Sequence, residues 1–257
     1  MEETAAVTAM ESCIADISQW MHSDKLKLNS DKTECLLIGT RQQLQKVSNI
    51  STLSVGDSEI APSCEVRNLG TWFDSKMSML SHINKTCSSA FYYLYNMRRI
   101  RKYLSRSVTE SLVHAFITSR IDYCNSLLYG LPNSHIMKLQ RIQNAAARLV
   151  TGTPRFCHVT PLLFHLHWLP ISYRIKFKIL LLTFKSLYGQ VPNYLVDFIT
   201  IKKQSRYSLR SNESIFLELP GIKTHPTLGD RAFQSAAPYP WNALPSAICN
   251  MKTLDTF

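Results

Sequence analysis

The sequence predicts an α+β fold in which helices predominate. Three observations carry the prediction: short apolar runs broken by turn-forming residues up to about residue 80, a change to three- and four-residue apolar spacing from Ser81 onward, and a reversal of net charge at the same point. The chain divides accordingly into a small strand-bearing part (1–80), a helical part (81–152) and a helical C-terminal part (153–257) that ends in an extended, proline-containing tail. With 257 residues, 45% of them hydrophobic, it can build one large core or two to three small ones.

The elements follow in order. Residues 3–22 predict an amphipathic helix, with Met10, Ile14, Ile17 and Met21 on its apolar stripe and Thr8 and Glu11 as a capping box for its second half. Leu26 and Leu28 alternate with lysines, and Cys35–Ile38 is a short apolar run. Both predict strands, joined by a turn at Asn29-Ser30-Asp31. Leu53, Val55 and Ile60 around Gly56-Asp57-Ser58 predict a hairpin. Val66–Phe73 predicts one further strand, in which Gly70 marks a bulge or a close approach by another backbone.

From Ser81, expected as an N-cap, Ile83, Cys87, Phe91, Leu94 and Met97 predict a helix. A second helix is expected from Ser107, with Glu110 completing a capping box and Val108, Leu112, Ala115 and Phe116 buried. A third carries Ile136, Leu139, Ile142, Ala146, Leu149 and Val150 and stops at Gly152. Thr160-Pro161 opens a short helix that Leu169-Pro170 closes, and a long helix is expected from Ser172 to Tyr188, with Gly189 as its stop. Beyond Lys203, five prolines predict extended segments and turns, with a short closing helix near Ser246–Met251.

Charge narrows the partners. Residues 1–80 hold 7 Lys/Arg against 11 Asp/Glu, whereas residues 81–257 hold 22 against 7, within a total of +11. A one-sided excess of that size attracts polyanions, nucleic acid first and an anionic membrane surface second; a basic but merely solvated helical surface is the alternative. The acidic N-terminus lacks the pattern of a secretory signal, and the longest strongly apolar run, Ile179–Phe184, is too short to span a bilayer. The expectation is an intracellular chain of the nucleus or cytoplasm without a membrane partner. Seven scattered cysteines with no CxxC read as reduced thiols.

The catalytic motifs of several large classes are missing. No Asp-Asp or Asp-x-Asp is present to hold the two metal ions of polynucleotide synthesis, and Asp16, Asp24 and Asp31 are spread over a helix and a turn. Neither Gly-x-Ser-x-Gly, HExxH nor a glycine-rich phosphate loop occurs. His165-Leu166-His167 and Cys157-His158 lack further zinc ligands at a recognisable spacing, so no metal site and no small-molecule cofactor are expected.

The basic residues are better organised. Arg98, Arg99, Arg101 and Lys102 cluster at a predicted helix end, where they can contact phosphates or simply complement the helix dipole. Arg141 and Arg148 lie seven apart on one helix face, and Arg174, Lys178 and Lys185 repeat the arrangement. Tyr92, Tyr93 and Tyr95 offer either stacking surfaces or packing residues.

Two stretches, Lys25–Gly39 (KLKLNSDKTECLLIG) and Val66–Asp74 (VRNLGTWFD), go further. Trp20 followed by Leu26-Lys27-Leu28-Asn29 and Lys32-Thr33-Glu34 resembles polymerase motif D in the reverse transcriptases of non-LTR (LINE-type) retrotransposons. The resemblance gives Lys32 the role of the lysine that assists the pyrophosphate leaving group. Leu69-Gly70, with Asp74, is similar to the family's primer grip, which would explain the glycine by a primer backbone passing close by. Gln143-Asn144-Ala145-Ala146-Ala147-Arg148, Leu169-Pro170, Tyr207-Leu209-Arg210-Ser211 and the stretch from Arg231 through Trp241-Asn242 to Pro245 resemble its thumb and C-terminal region.

The resemblance implies a small antiparallel palm remnant, a helical thumb (81–152) and a C-terminal region that together hold an RNA–DNA or DNA primer–template duplex. Leu69, Gly70, Arg98, Arg99, Arg101, Lys102, Arg141 and Arg148 are its expected nucleic-acid contacts. The family's catalytic aspartates and their magnesium have no counterpart in this chain, so the expectation is a fragment, cut at both ends, that does not polymerise alone. A non-enzymatic nucleic-acid-binding module and an element remnant without a role are the alternatives.

Overall fold

The computed structural model describes residues 2–47, 52–56, 58–202, 215–221, 228–249, 251 and 253. The expected Tyr207–Ser211 segment lies outside the described residues, as does Asp57 of the first hairpin. Helices predominate, strands are short, and the chain forms two compact units, 1–84 and 85–257. Residues 85–152 and 153–257, which the sequence pattern separates, belong to the same unit.

In the first unit, α1 (Glu2–Ser23) packs against β2 (Leu53–Val55). Its less exposed face is Val7, Glu11, Ile14, Ser18 and Met21, while Met10, Ile17 and Trp20 stand 54%, 46% and 63% exposed. The expected stripe is therefore rotated. The reason is polar: the Glu11 carboxylate accepts the Ser54 amide proton at 2.9 Å and turns that face of α1 inward. Thr8 is not a cap but donates back to the carbonyl of Thr4, four residues earlier in the same helix.

Leu26 and Leu28 do not form a strand. The expected turn is present as a 3-10 turn over Ser30–Lys32, with Asn29 Oδ1 accepting from the Lys32 amide. β1 (Cys35–Leu36) pairs in parallel with β4 (Pro62–Ser63), which corrects the purely antiparallel expectation. The connection between them is long enough for a parallel crossover because it holds α2 (Arg41–Lys46) and the hairpin that begins with β2. α2 was not expected; it opens on a reciprocal capping box between Thr40 and Gln43.

The first hairpin forms as predicted, β2 against β3 (Ser58–Ile60), with Leu53 opposite Ile60 and Val55 opposite Ser58. The second region differs. Val66–Phe73 is not one strand but a hairpin, β5 (Glu65–Asn68) against β6 (Thr71–Asp74), turning at Leu69-Gly70. Both turn residues have positive φ, 46° and 88°, as a two-residue turn matched to strand twist requires. Gly70 adopts this freely and Leu69 does so under strain.

α3 (Leu80–Ile100) does not start at Ser81. Asp74 carboxylate oxygens accept from the amides of Ser78 and Met79 at 3.1 and 2.8 Å and shape the entry, while Ser81 lies in the first turn and donates to Glu65.

The second unit is helical. Along α3, Ile83 in the first unit and Leu94 and Met97 in the second are buried as expected, as is the unanticipated Ala90, whereas Phe91 is 45% exposed. After a 3-10 turn over Arg101–Tyr103, Ser105 rather than Ser107 caps α4 (Arg106–Val113), accepting from the Val108 amide. α4 runs through a π-helical stretch, His114–Thr118, into α5 (Ser119–Asp122). The buried residues are Thr109, Val113, Ile117 and Ile121, not Val108 and Phe116, which are exposed. Four-residue steps drift by about 40° each on a straight α-helix; the wider π turn offsets that drift and keeps all four inward.

α6 (Asn133–Thr151) buries the predicted stripe and ends at Gly152, whose φ is 70°. α7 (Thr160–His165), with Pro161 in its first turn, and α8 (Ile171–Leu187) pack on α6. α9 (Asn193–Val196) follows. The tail is more helical than its prolines suggested, with α10 (Phe233–Ala236), α11 (Pro238–Asn242) and α12 (Ser246–Cys249). Trp241 is fully buried with Phe184, Leu217 and Cys249, and its indole donates to the Ile215 carbonyl. The Asn242 side chain both donates to and accepts from the Leu217 backbone at 2.9 Å.

Two predictions follow from strain and burial in the first unit. Leu69→Asn, which tolerates positive φ, should raise the unfolding free energy by about 1 kcal/mol in urea titration. His82 is 7% exposed, and burial holds its pKa below the ordinary 6.5. The folded chain thus keeps a neutral imidazole, while the unfolded chain takes up a proton as pH falls through 6.5. Stability should drop from pH 7 toward pH 5, and His82→Leu should flatten that part of the profile in thermal denaturation.

Candidate nucleic-acid interface

The site begins with a helix end. The last carbonyls of α6 have no partners within the helix, and the left-handed Gly152 turns the chain away from them. Arg101 supplies the missing donors, its Nε reaching the Leu149 carbonyl at 2.9 Å and its Nη2 the Val150 carbonyl at 3.2 Å, while Nη1 holds its own Leu104 carbonyl at 2.9 Å. Arg101 therefore has a structural task, two N–H groups of its five being left for a ligand.

This bond sets the end of α3 beside the end of α6. Between them opens a cleft of about 700 Å³ whose lining includes Arg98, Arg101, Arg141, Arg148 and Arg155, and no carboxylate. Arg98, Arg141 and Arg155 are exposed. Arg148 is half-buried; its Nη2 donates to the Cys157 carbonyl at 3.0 Å, and its Nε is buried with no partner among the described residues. Five guanidinium groups without a counter-charge make the cleft a concave positive field suited to phosphates.

The expected contacts thus separate. Arg98, Arg101, Arg141 and Arg148 share the cleft. Arg99 lies over the Tyr95 ring at 6.0 Å and Lys102 over Tyr103 at 4.8 Å, both outside the cleft lining. In the first unit, Leu69 forms the tip of the second hairpin at 85% exposure, with Gly70 beside it, and Lys32 is an exposed residue of the 3-10 turn. Arg174 pairs with Asp122 at 2.5 Å and donates to the Leu169 carbonyl, so the second basic track is partly internal. Tyr93 stacks on Phe116 at 5.0 Å under Arg120, whereas Tyr92 and Tyr95 are exposed.

Two lining residues escaped the sequence reading. Arg155 joins only because Gly152 reverses the chain, and Phe91 was assigned to the core because its spacing fits the apolar stripe of α3. The one available signal for Arg155 was a cation three residues beyond a predicted helix stop.

Other chemistry finds little support. Burial pushes the thiols of Cys35, Cys87 and Cys249 up; at Cys87 the nearby Lys138 opposes this without reversing it. They stay protonated near neutral pH and are poor nucleophiles. Among the described residues no group of three or more His, Cys, Asp or Glu side chains could hold a metal ion. No helix among them is long and apolar enough to cross a membrane.

No protein-family model, curated protein or solved structure matches the chain. Fold and site define a predominantly helical α+β chain with an arginine-lined cleft in its second unit.

The two kinds of arginine are separable by experiment. Arg101→Met should lower the unfolding free energy by about 1–3 kcal/mol, because carbonyls at the end of α6 lose their donors. Arg98→Gln should change it by less than about 0.5 kcal/mol, as at an ordinary exposed position. Urea titration of both variants measures the difference.

Proposed function

We propose that this chain holds nucleic acid by its phosphates at the five-arginine cleft, as the primer–template-gripping C-terminal portion of an RNA-directed DNA polymerase of the non-LTR retrotransposon type. One observation carries the binding half of this reading: five guanidinium groups line one cleft that, among the described residues, contains no carboxylate. The polymerase half is supported by the resemblance of Leu26–Glu34, Leu69-Gly70 and Gln143–Arg148 to motif D, the primer grip and the thumb. In the intact enzyme, nucleotidyl transfer and its magnesium would belong to residues this chain does not contain, with Lys32 assisting the leaving group. A second reading, a nucleic-acid-binding module without catalysis, is favoured by the cleft's position. Every lining residue lies between Phe91 and Arg155, so the cleft needs nothing from residues 1–84.

Binding of the purified chain to a short RNA–DNA primer–template across a salt titration tests the proposal. Affinity should fall linearly on a log–log plot, and Arg98→Glu with Arg141→Glu should weaken binding and reduce the slope by about 2, roughly one per lost phosphate contact. An affinity indifferent to salt, or unchanged by both charge reversals, overturns the reading.

A further inference from the structure

We infer that the cleft admits a single strand, one or two nucleotides at a time, with a base laid against Phe91, and not the side of a duplex, so that a primer–template would enter it by its single-stranded overhang; this rests on the phosphate-binding reading above. The first argument is shape. A cleft of about 700 Å³ has the size of sites that enclose a small ligand. A duplex presents its phosphates on a convex surface and cannot follow them into such a concavity, whereas a flexible single strand can.

The second argument is composition. Phe91 stands in the lining with 45% of its surface exposed, among cations and without an acid. It precedes Arg98 by two turns on α3, about 10.5 Å along the axis, and Arg141 and Arg148 are spaced identically along α6. One wall therefore alternates an aromatic face with a cation, and the other supplies two cations. An apolar plane flanked by positive charge complements a base flanked by phosphates. A duplex keeps its bases stacked within and leaves the ring unused.

The third argument is the donor inventory. Asn144 lines the cleft with its Oδ1 accepting from Gln140 Nε2 at 2.8 Å, which fixes the amide's orientation and leaves its N–H groups for the carbonyl and ring-nitrogen acceptors of a base edge.

The test is a fluorescence-anisotropy titration of the full chain with a short single-stranded RNA and with the same sequence as an RNA–DNA duplex, plus competition by inorganic tripolyphosphate. The single strand should bind more tightly than the duplex. Phe91→Leu, which keeps an apolar side chain on the helix, should weaken single-strand binding about five- to a hundredfold, Phe91→Trp should preserve it, and tripolyphosphate competition should be the same for both variants. Circular dichroism of each variant establishes that it is folded. If folded Phe91→Leu binds the single strand as tightly as the parent while Arg98→Glu weakens it, the cleft reads phosphates alone and this inference fails, with the proposed function intact. If Arg98→Glu changes none of the three, both fail together.

Discussion

Arg101 holds the C-terminal carbonyls of α6, and the positions of the other cations in the cleft follow from that bond. The contact joins residues 48 and 49 positions apart in sequence and puts a cation where a helix concentrates partial negative charge. It brings Arg98, three residues earlier on α3, to the same cleft as Arg148, one turn before the end of α6. Two helix ends that would each carry an isolated basic cluster thereby become two walls of one cleft. The left-handed Gly152 completes it by sending the chain round to Arg155.

How the protein treats its cations elsewhere makes the cleft unusual. Arg174 is given Asp122 at 2.5 Å, and Arg231 is laid on the carbonyls of Leu127 and Tyr129 across Gly130, where a Cβ would sit 3.0 Å from its Cγ. In both places the fold provides an acceptor for a cation it needs in position. At the cleft only Arg101 and one nitrogen of Arg148 are provided for in this way, and the remaining positive charge faces solvent. Clustered like charges raise the energy of the folded state until counterions or another anion arrive.

Two of the segments singled out by residue identity, Gln143–Arg148 and Leu169-Pro170, meet in space. Gln143, 4% exposed, donates to the Leu169 carbonyl at 2.8 Å, and Gln140 accepts from the Ile171 amide at 2.9 Å, so α6 is latched to the Leu169-Pro170 corner and the start of α8. Ala146 and Ala147, both essentially unexposed, leave room for that close approach. Trp241 and Asn242 clamp Ile215 and Leu217 in the same manner farther along. In each case a buried or half-buried polar side chain satisfies backbone groups that no regular helix or sheet reaches, and few other residue types could do so.

Periodicity alone determined α6, α8, the Gly152 stop and the hairpin at Val55–Ser58, because each is specified by neighbours a few residues away: apolar spacing, a helix terminator, a two-residue turn. It did not determine which face of α1 is covered, since the deciding bond comes from Ser54, 43 residues distant. It misplaced the inward face of α4 because that face carries a polar Thr109, its hydroxyl satisfied by the Ser105 carbonyl at 2.8 Å, beside an apolar but exposed Val108, and it read β5 and β6 as one strand because an apolar Leu69 does not announce a turn. Likewise the sequence supplied the arginines and their excess over carboxylates. Only the tertiary structure decided that five of them share a cleft and that Arg101 builds it, because a donor's partner among distant carbonyls is fixed by packing and leaves no trace in local spacing.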